Sequence, residues 1–125
     1  MQLSRDWSNM AATGNVDSIV SYWADDAVIL SPGVPAIRGI SEIRDYVAGA
    51  VNIPGFKISW VPLNAVVSES GDIGYIFEEN EVTVNDSLGK PVTTYNKGIT
   101  IWKKQSDGKW KNVVDAWNAM PSPEK

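Results

Sequence analysis

Residues 73–104 read IGYIFEENEVTVNDSLGKPVTTYNKGITIWKK, and the parsing of this stretch decides the fold. Ile73 to Val84 is rich in β-branched and aromatic residues, Asn85 to Pro91 gathers turn formers, and Val92 to Lys104 is β-prone again, which predicts a long hairpin. Toward the C-terminus, Ser106-Asp107-Gly108 predicts a tight turn into a last strand from Trp110 to Ala119. Toward the N-terminus, Phe56, Ile58 and Trp60 alternate with Lys57 and Ser59 up to Pro62, where a strand must lie at an edge or carry a bulge. Val66 and Val67 then run into the turn Glu69-Ser70-Gly71-Asp72. The second half is therefore an antiparallel meander.

The first half carries helical periodicity. Leu3, Trp7, Met10 and Ala11 share one helical face, predicting a helix over about Ser4 to Thr13 that stops at Gly14. Asn15 is placed to cap a second helix whose Val16, Ile19, Val20 and Trp23 share a face. Ala27 to Leu30 is a short strand closed by Ser31-Pro32-Gly33. Ser41 is expected to cap a third helix, with Ile43, Val47, Ala50 and Val51 inward and Pro54 at its end. Helices followed by strands predict an α+β fold, with N-terminal helices packed on a strongly curved antiparallel β-sheet.

Length and composition bound the rest. The 125 residues are enough for one domain, expected over residues 1–120, with a frayed tail at 121–125. There is no His and no Cys, which excludes disulfides, thiolate nucleophiles, Cys/His zinc sites and imidazole bases. A formal net charge of −4 disfavours nucleic acid as a partner. Lys97, Lys103, Lys104, Lys109 and Lys111 gather toward the C-terminal end, as solvated strand ends or as a patch for an acidic partner. No apolar run is long enough for a membrane span and no secretory segment precedes the first helix, so a cytoplasmic location is expected. Asp25 and Asp26 point apart and lack companion ligands, so no metal and no cofactor is expected.

Several short runs together resemble one family. Gly14-Asn15, Ile19-Val20, Tyr22 to Val28, Ser31-Pro32-Gly33, Arg38-Gly39, Ser70-Gly71-Asp72, Lys97 to Lys104, Asp107 to Trp110 and Asp115 to Asn118 resemble the SnoaL-like and ketosteroid isomerase-like branch of the nuclear transport factor 2-like superfamily. The resemblance implies a cone-shaped, cystatin-like fold around an apolar pocket, paired as a homodimer through the outer sheet face, where Ile99 and Ile101 would lie. Carried across by spacing, the isomerase's oxyanion phenol falls on Trp7, its general base on Ser31 and its protonated acid on Thr100. All three roles are altered, so steroid isomerisation is not expected. A scytalone-type dehydratase would need His.

What remains is a candidate pocket for a small hydrophobic or aromatic molecule. Val113, Asp115 and Trp117 share one face of the last strand, and Gly98, Thr100 and Trp102 one face of the strand before it; the resemblance makes both faces line the pocket. Asp115 is the catalytic candidate, because desolvation among indoles raises a carboxyl toward neutrality. The plainer reading is a structural carboxylate accepting from a Tyr hydroxyl, a Trp N–H or a helix-end amide. Glu79 is a second candidate. If Tyr75 and Phe77 face inward, Glu79 and Glu81 follow them; Val82 and Val84 have the opposite parity, and a bulge near Asn80 would turn the glutamates to solvent. By family position Trp7, Trp23, Trp102 and Trp117 look toward the cavity, with Trp60, Tyr75, Phe77 and Val113 beside them and Ser31 and Thr100 as polar help. The functions that follow are carboxylate acid–base chemistry of an isomerase, cyclase or hydrolase kind, or a non-catalytic ligand-binding or dimeric association module.

Overall fold

A computed structural model describes residues 6–7, 9–10 and 13–121. Asp6, Trp7, Asn9 and Met10 are helical and Thr13 lies in a turn; Leu3, Ala11 and the remainder of the first expected helix lie outside the described residues, as does the tail after Pro121.

Helix α1 (Val16–Val20) begins as its sequence demands, with the Asn15 side chain accepting from the Ser18 N–H at 3.1 Å. It is shorter than the shared face of Val16, Ile19, Val20 and Trp23 suggested. The Tyr22 carbonyl accepts from the Asn112 N–H at 2.8 Å, so the chain leaves the helix to join the sheet and Trp23 opens a strand. That strand, β1 (Trp23–Leu30), is twice the length of the expected Ala27 to Leu30 run and pairs with the short β2 (Ile37–Arg38).

Helix α2 (Gly39–Val51) starts before Ser41, which is inside its first turn and is not the cap. Arg38 occupies the cap position, and the Glu42 side chain, one turn on, accepts from the Arg38 backbone N–H at 2.9 Å and so satisfies a donor at the helix start. Ile43 and Val47 are the buried residues of its inward stripe. The two helices are tied by an ion pair between Arg44 and Asp17.

Strands β3 (Lys57–Val67), β4 (Ile73–Asn85), β5 (Pro91–Lys104) and β6 (Trp110–Met120) form the meander; β4, β5 and β6 lie within a residue of the expected boundaries, and β3 runs on past Pro62 to Val67. They belong to one six-stranded curved sheet in the order β2-β1-β6-β5-β4-β3. One pairing departs from the all-antiparallel expectation, because β1 runs parallel to β6 and so unites the first long strand with the last. In β3 the register shifts between Pro62 and Asn64, the bulge that a proline inside a strand requires. In β4 no bulge occurs near Asn80. Its pairing with β5 is unbroken from Ile73↔Lys103 to Asn85↔Pro91, so side chains alternate without a reset.

The core lies between the inner sheet face and the helices, where Ile19, Val20, Trp23, Ala27, Ile29, Ile43, Val47, Ile76 and Trp102 are buried with Trp7. Trp7 is the hub. Its ring meets Trp23, Trp60 and Trp102 edge-on at centroid distances of 4.6, 5.0 and 5.5 Å, and its Nε1 donates to the Ile19 carbonyl at 3.2 Å. Among the described residues, no helix is long and apolar enough to cross a membrane.

Candidate functional site

Alternation along β4 builds the site. With no bulge, Ile76, Glu78, Asn80, Val82 and Val84 share the inner face, and the last four line a cavity of about 230 Å³. Helix α2 supplies the opposite wall with Tyr46, Val47, Ala50 and Val51, β3 supplies Ile58 and Trp60, and β6 supplies Asp115 and Trp117. Trp7, Ile19, Trp23 and Ile29 close the deep end. A second, more open hollow of about 500 Å³ lies beside it around Lys57, Ser59, Glu81 and Thr83; no buried polar group converges there.

Two carboxyls meet in the apolar cavity. Glu78 is only 7% exposed, and burial pushes its pKa up to about 7, against a smaller lowering influence from the Asn80 side chain that hydrogen-bonds it. Asn80 is itself oriented by Asn96, whose Nδ2 donates to Asn80 Oδ1 at 2.9 Å. The other Glu78 carboxyl oxygen, Oε1, is buried without a hydrogen-bond partner. Asp115 is half-buried in the cavity wall; burial first, and the Glu78 charge second, push its pKa well above its usual value.

Gly98 permits the pair to share one space. It stands opposite Glu78 on one side and Trp117 on the other, with Thr100 opposite Asp115. A Cβ at Gly98 would meet the Ala116 carbonyl oxygen at 2.7 Å and Trp117 Cβ at 3.0 Å, so only glycine lets β5 and β6 approach this closely. At the rim, the Tyr46 hydroxyl donates to Ser31 Oγ at 3.4 Å.

The expected residues divide accordingly. Trp7, Trp23, Trp60, Trp117 and Asp115 line the cavity. Tyr75 and Phe77 do not: they lie on the outer sheet face with their rings 5.2 Å apart, Phe77 being 44% exposed, and Glu79 and Glu81 follow them to solvent. Thr100 and Trp102 are packed beneath the cavity, where Trp102 Nε1 donates to Thr100 Oγ1 at 2.8 Å. Val113 falls where the β5–β6 register shifts and packs on the core, and Ser31 is reached only through Tyr46. Glu78 is the residue that the reading of the sequence missed. Its signal was present in the even-numbered run Ile76, Glu78, Asn80, Val82, Val84, but Tyr75 and Phe77 drew the inward assignment to the other parity. Among the described residues, no three acidic side chains cluster as a metal site.

Comparison with known proteins agrees with this architecture. The SnoaL-like domain family matches residues 4–113. No curated protein matches the sequence. Among solved structures, the chain is similar to a ketosteroid isomerase-like protein from Erwinia carotovora atroseptica SCRI1043, at 17% identity over 97% of this chain and 94% of the other, with a TM-score of 0.82. It is also similar to a candidate calcium/calmodulin-dependent protein kinase II association domain from Xanthomonas campestris, at 21% identity over 93% and 81%, with a TM-score of 0.75. A candidate dehydratase of the nuclear transport factor 2-like family from Streptomyces avermitilis aligns at 17% identity over 97% and 94%, with a TM-score of 0.74. At these identities the likeness is one of fold.

Proposed function

The chain belongs to the SnoaL-like domain family, and from that premise we propose that it takes a small hydrophobic or aromatic molecule into the cavity and exchanges a proton with it through Glu78 and Asp115. The observation that carries this reading is the meeting of two carboxyls, both raised toward or above neutrality, in one indole-lined cavity. Near pH 7 Glu78 is divided between its two forms, and burial together with the Glu78 charge raises Asp115 beside it, so the pair is suited to passing a proton. A positioned acid or base of this kind accelerates proton transfer by about 10²–10⁴-fold. Steroid isomerisation by the familiar mechanism is not part of the proposal, since Trp7 and Thr100 spend their polar groups on Ile19 and Trp102.

The second reading is a dimeric association module, and the outer sheet face favours it. Tyr75 pairs with Ile101 and Phe77 with Ile99, making an apolar patch on the side away from the cavity, and the Xanthomonas relative is itself described as an association domain. We propose a homodimer through this face; it is compatible with an occupied pocket.

Carboxyl-carbon NMR titration tests the pocket reading. Glu78 is expected to titrate near 7 and Asp115 well above its usual value, and millimolar 2-phenylethanol is expected to shift the indole resonances of Trp60 and Trp117. Ordinary carboxylate midpoints for both groups would remove the proton-exchange role.

A further inference from the structure

We propose that the molecule selected by this cavity is a small organic cation, a protonated primary or secondary amine on an aromatic or aliphatic frame, with its ammonium seated on the Glu78 carboxylate and its frame among the indoles. This deepens the pocket reading and rests on it. It starts from an acceptor without a donor: Glu78 lines the cavity, is 7% exposed, and has Oε1 buried without a partner while Asn80 attends the carboxyl. A buried charge left in that state is costly, and a matching ion relieves the cost.

The surroundings decide the sign of that ion. Among the described residues lining the cavity none is Lys or Arg. The titratable groups that share it with Glu78 are Asp115 from β6 and Tyr46 from α2; β3 presents Trp60 and Pro62, β5 presents Gly98, and neither adds a charge. A carboxylate or phosphate ligand would meet only negative or neutral walls. A neutral ligand would leave Glu78 as it is. An ammonium instead supplies donors to Oε1, and the indoles that line the cavity, Trp60 and Trp117 beside Trp7 and Trp23, are of the kind that attracts a cation further. Burial and the Glu78 charge favour the neutral form of Asp115, so it competes less for the bound ammonium than Glu78 does. The net charge of −4 favours the approach of cations to the molecule as a whole. Size restricts the frame: 230 Å³ equals the liquid volume of about eight waters, enough for one ring with a short arm.

Calorimetric titration with three probes of one shape tests the assignment: 2-phenylethylamine, 2-phenylethanol and phenylacetate. At about pH 8 the amine is expected to bind about tenfold or more tightly than the alcohol, with phenylacetate weakest. Because only ionised Glu78 accepts the ammonium and its midpoint is about 7, amine affinity should fall about tenfold from pH 8 to pH 6 while that of the alcohol stays level. Glu78→Gln should abolish the preference for the amine and its pH dependence while retaining the alcohol. If that variant does not fold, the pH dependence in the unaltered protein carries the test alone. Equal or tighter binding of the alcohol, or an amine preference that survives in Glu78→Gln, overturns the cation assignment and leaves the pocket reading standing; failure of all three probes to bind overturns both.

Discussion

Glu78 holds one carboxyl in an environment where its neutral form is preferred, and this has a consequence for stability as well as for ligands. An acid whose pKa is raised by folding contributes stability that is complete below its usual value of 4.5 and is lost as pH rises through about 7. The loss for Glu78 is on the order of 3 kcal/mol, and Asp115 acts in the same direction. The urea midpoint should therefore decline between about pH 5 and pH 8, and Glu78→Gln should flatten the decline; a rise in the unaltered protein over that interval would contradict the assignment. The two carboxyls were unequally legible in the sequence. Asp115 could be found because Trp110 to Ala119 alternates plainly against a single turn. Glu78 could not, because β4 carries apolar side chains on both faces, Ile76 and Val82 within and Tyr75 and Phe77 without, so periodicity alone does not say which face is inner.

At the level of elements, the strands were legible because turn chemistry brackets them, from Ser70-Gly71-Asp72 to Ser106-Asp107-Gly108. Less legible was where helix gives way to strand. Trp23 fits the helical spacing of Val16, Ile19 and Val20 as well as it fits a strand, and the hydrogen bond from Asn112 to Tyr22 decides between them from the far end of the chain. The close approach of β5 and β6 at Gly98 gives an element-scale prediction. Gly98→Ala places a methyl against the Ala116 carbonyl and Trp117, so the strands must separate, at a cost of about 1–3 kcal/mol measured by chemical denaturation. Because Trp117 lines the cavity, its displacement should also weaken 2-phenylethylamine binding. Unchanged stability would mean that the contact relaxes freely.

For the whole molecule, the sheet separates two apolar surfaces with different uses. The inner one is closed by α2 and by Trp7; the outer one, around Tyr75, Phe77, Ile99 and Ile101, carries no packed helix among the described residues. A dimer needs roughly 800 Å² from each partner, so the pairing must extend beyond these four side chains of β4 and β5. Ile99→Lys is expected to shift sedimentation equilibrium toward monomer while leaving amine binding intact, because the substitution lies on the far side of the sheet from the cavity. A monomeric unaltered protein at micromolar concentration would refute the homodimer. Here the sequence was informative in a particular way, since Ile99 and Ile101 have the opposite parity to the buried Thr100 and Trp102 and so had to face outward.

The parallel seam between β1 and β6 also governs timing. Ile29 pairs with Asp115, so the first long strand has no partner on that side until the last has left the ribosome. Closing so large a loop is among the slower steps open to a chain of this size. The carboxyl on β6 arrives with that final strand, and a nascent or prematurely terminated chain therefore has Glu78 but no enclosed chamber around it. Only a chain extended through β6 assembles both carboxyls around one cavity.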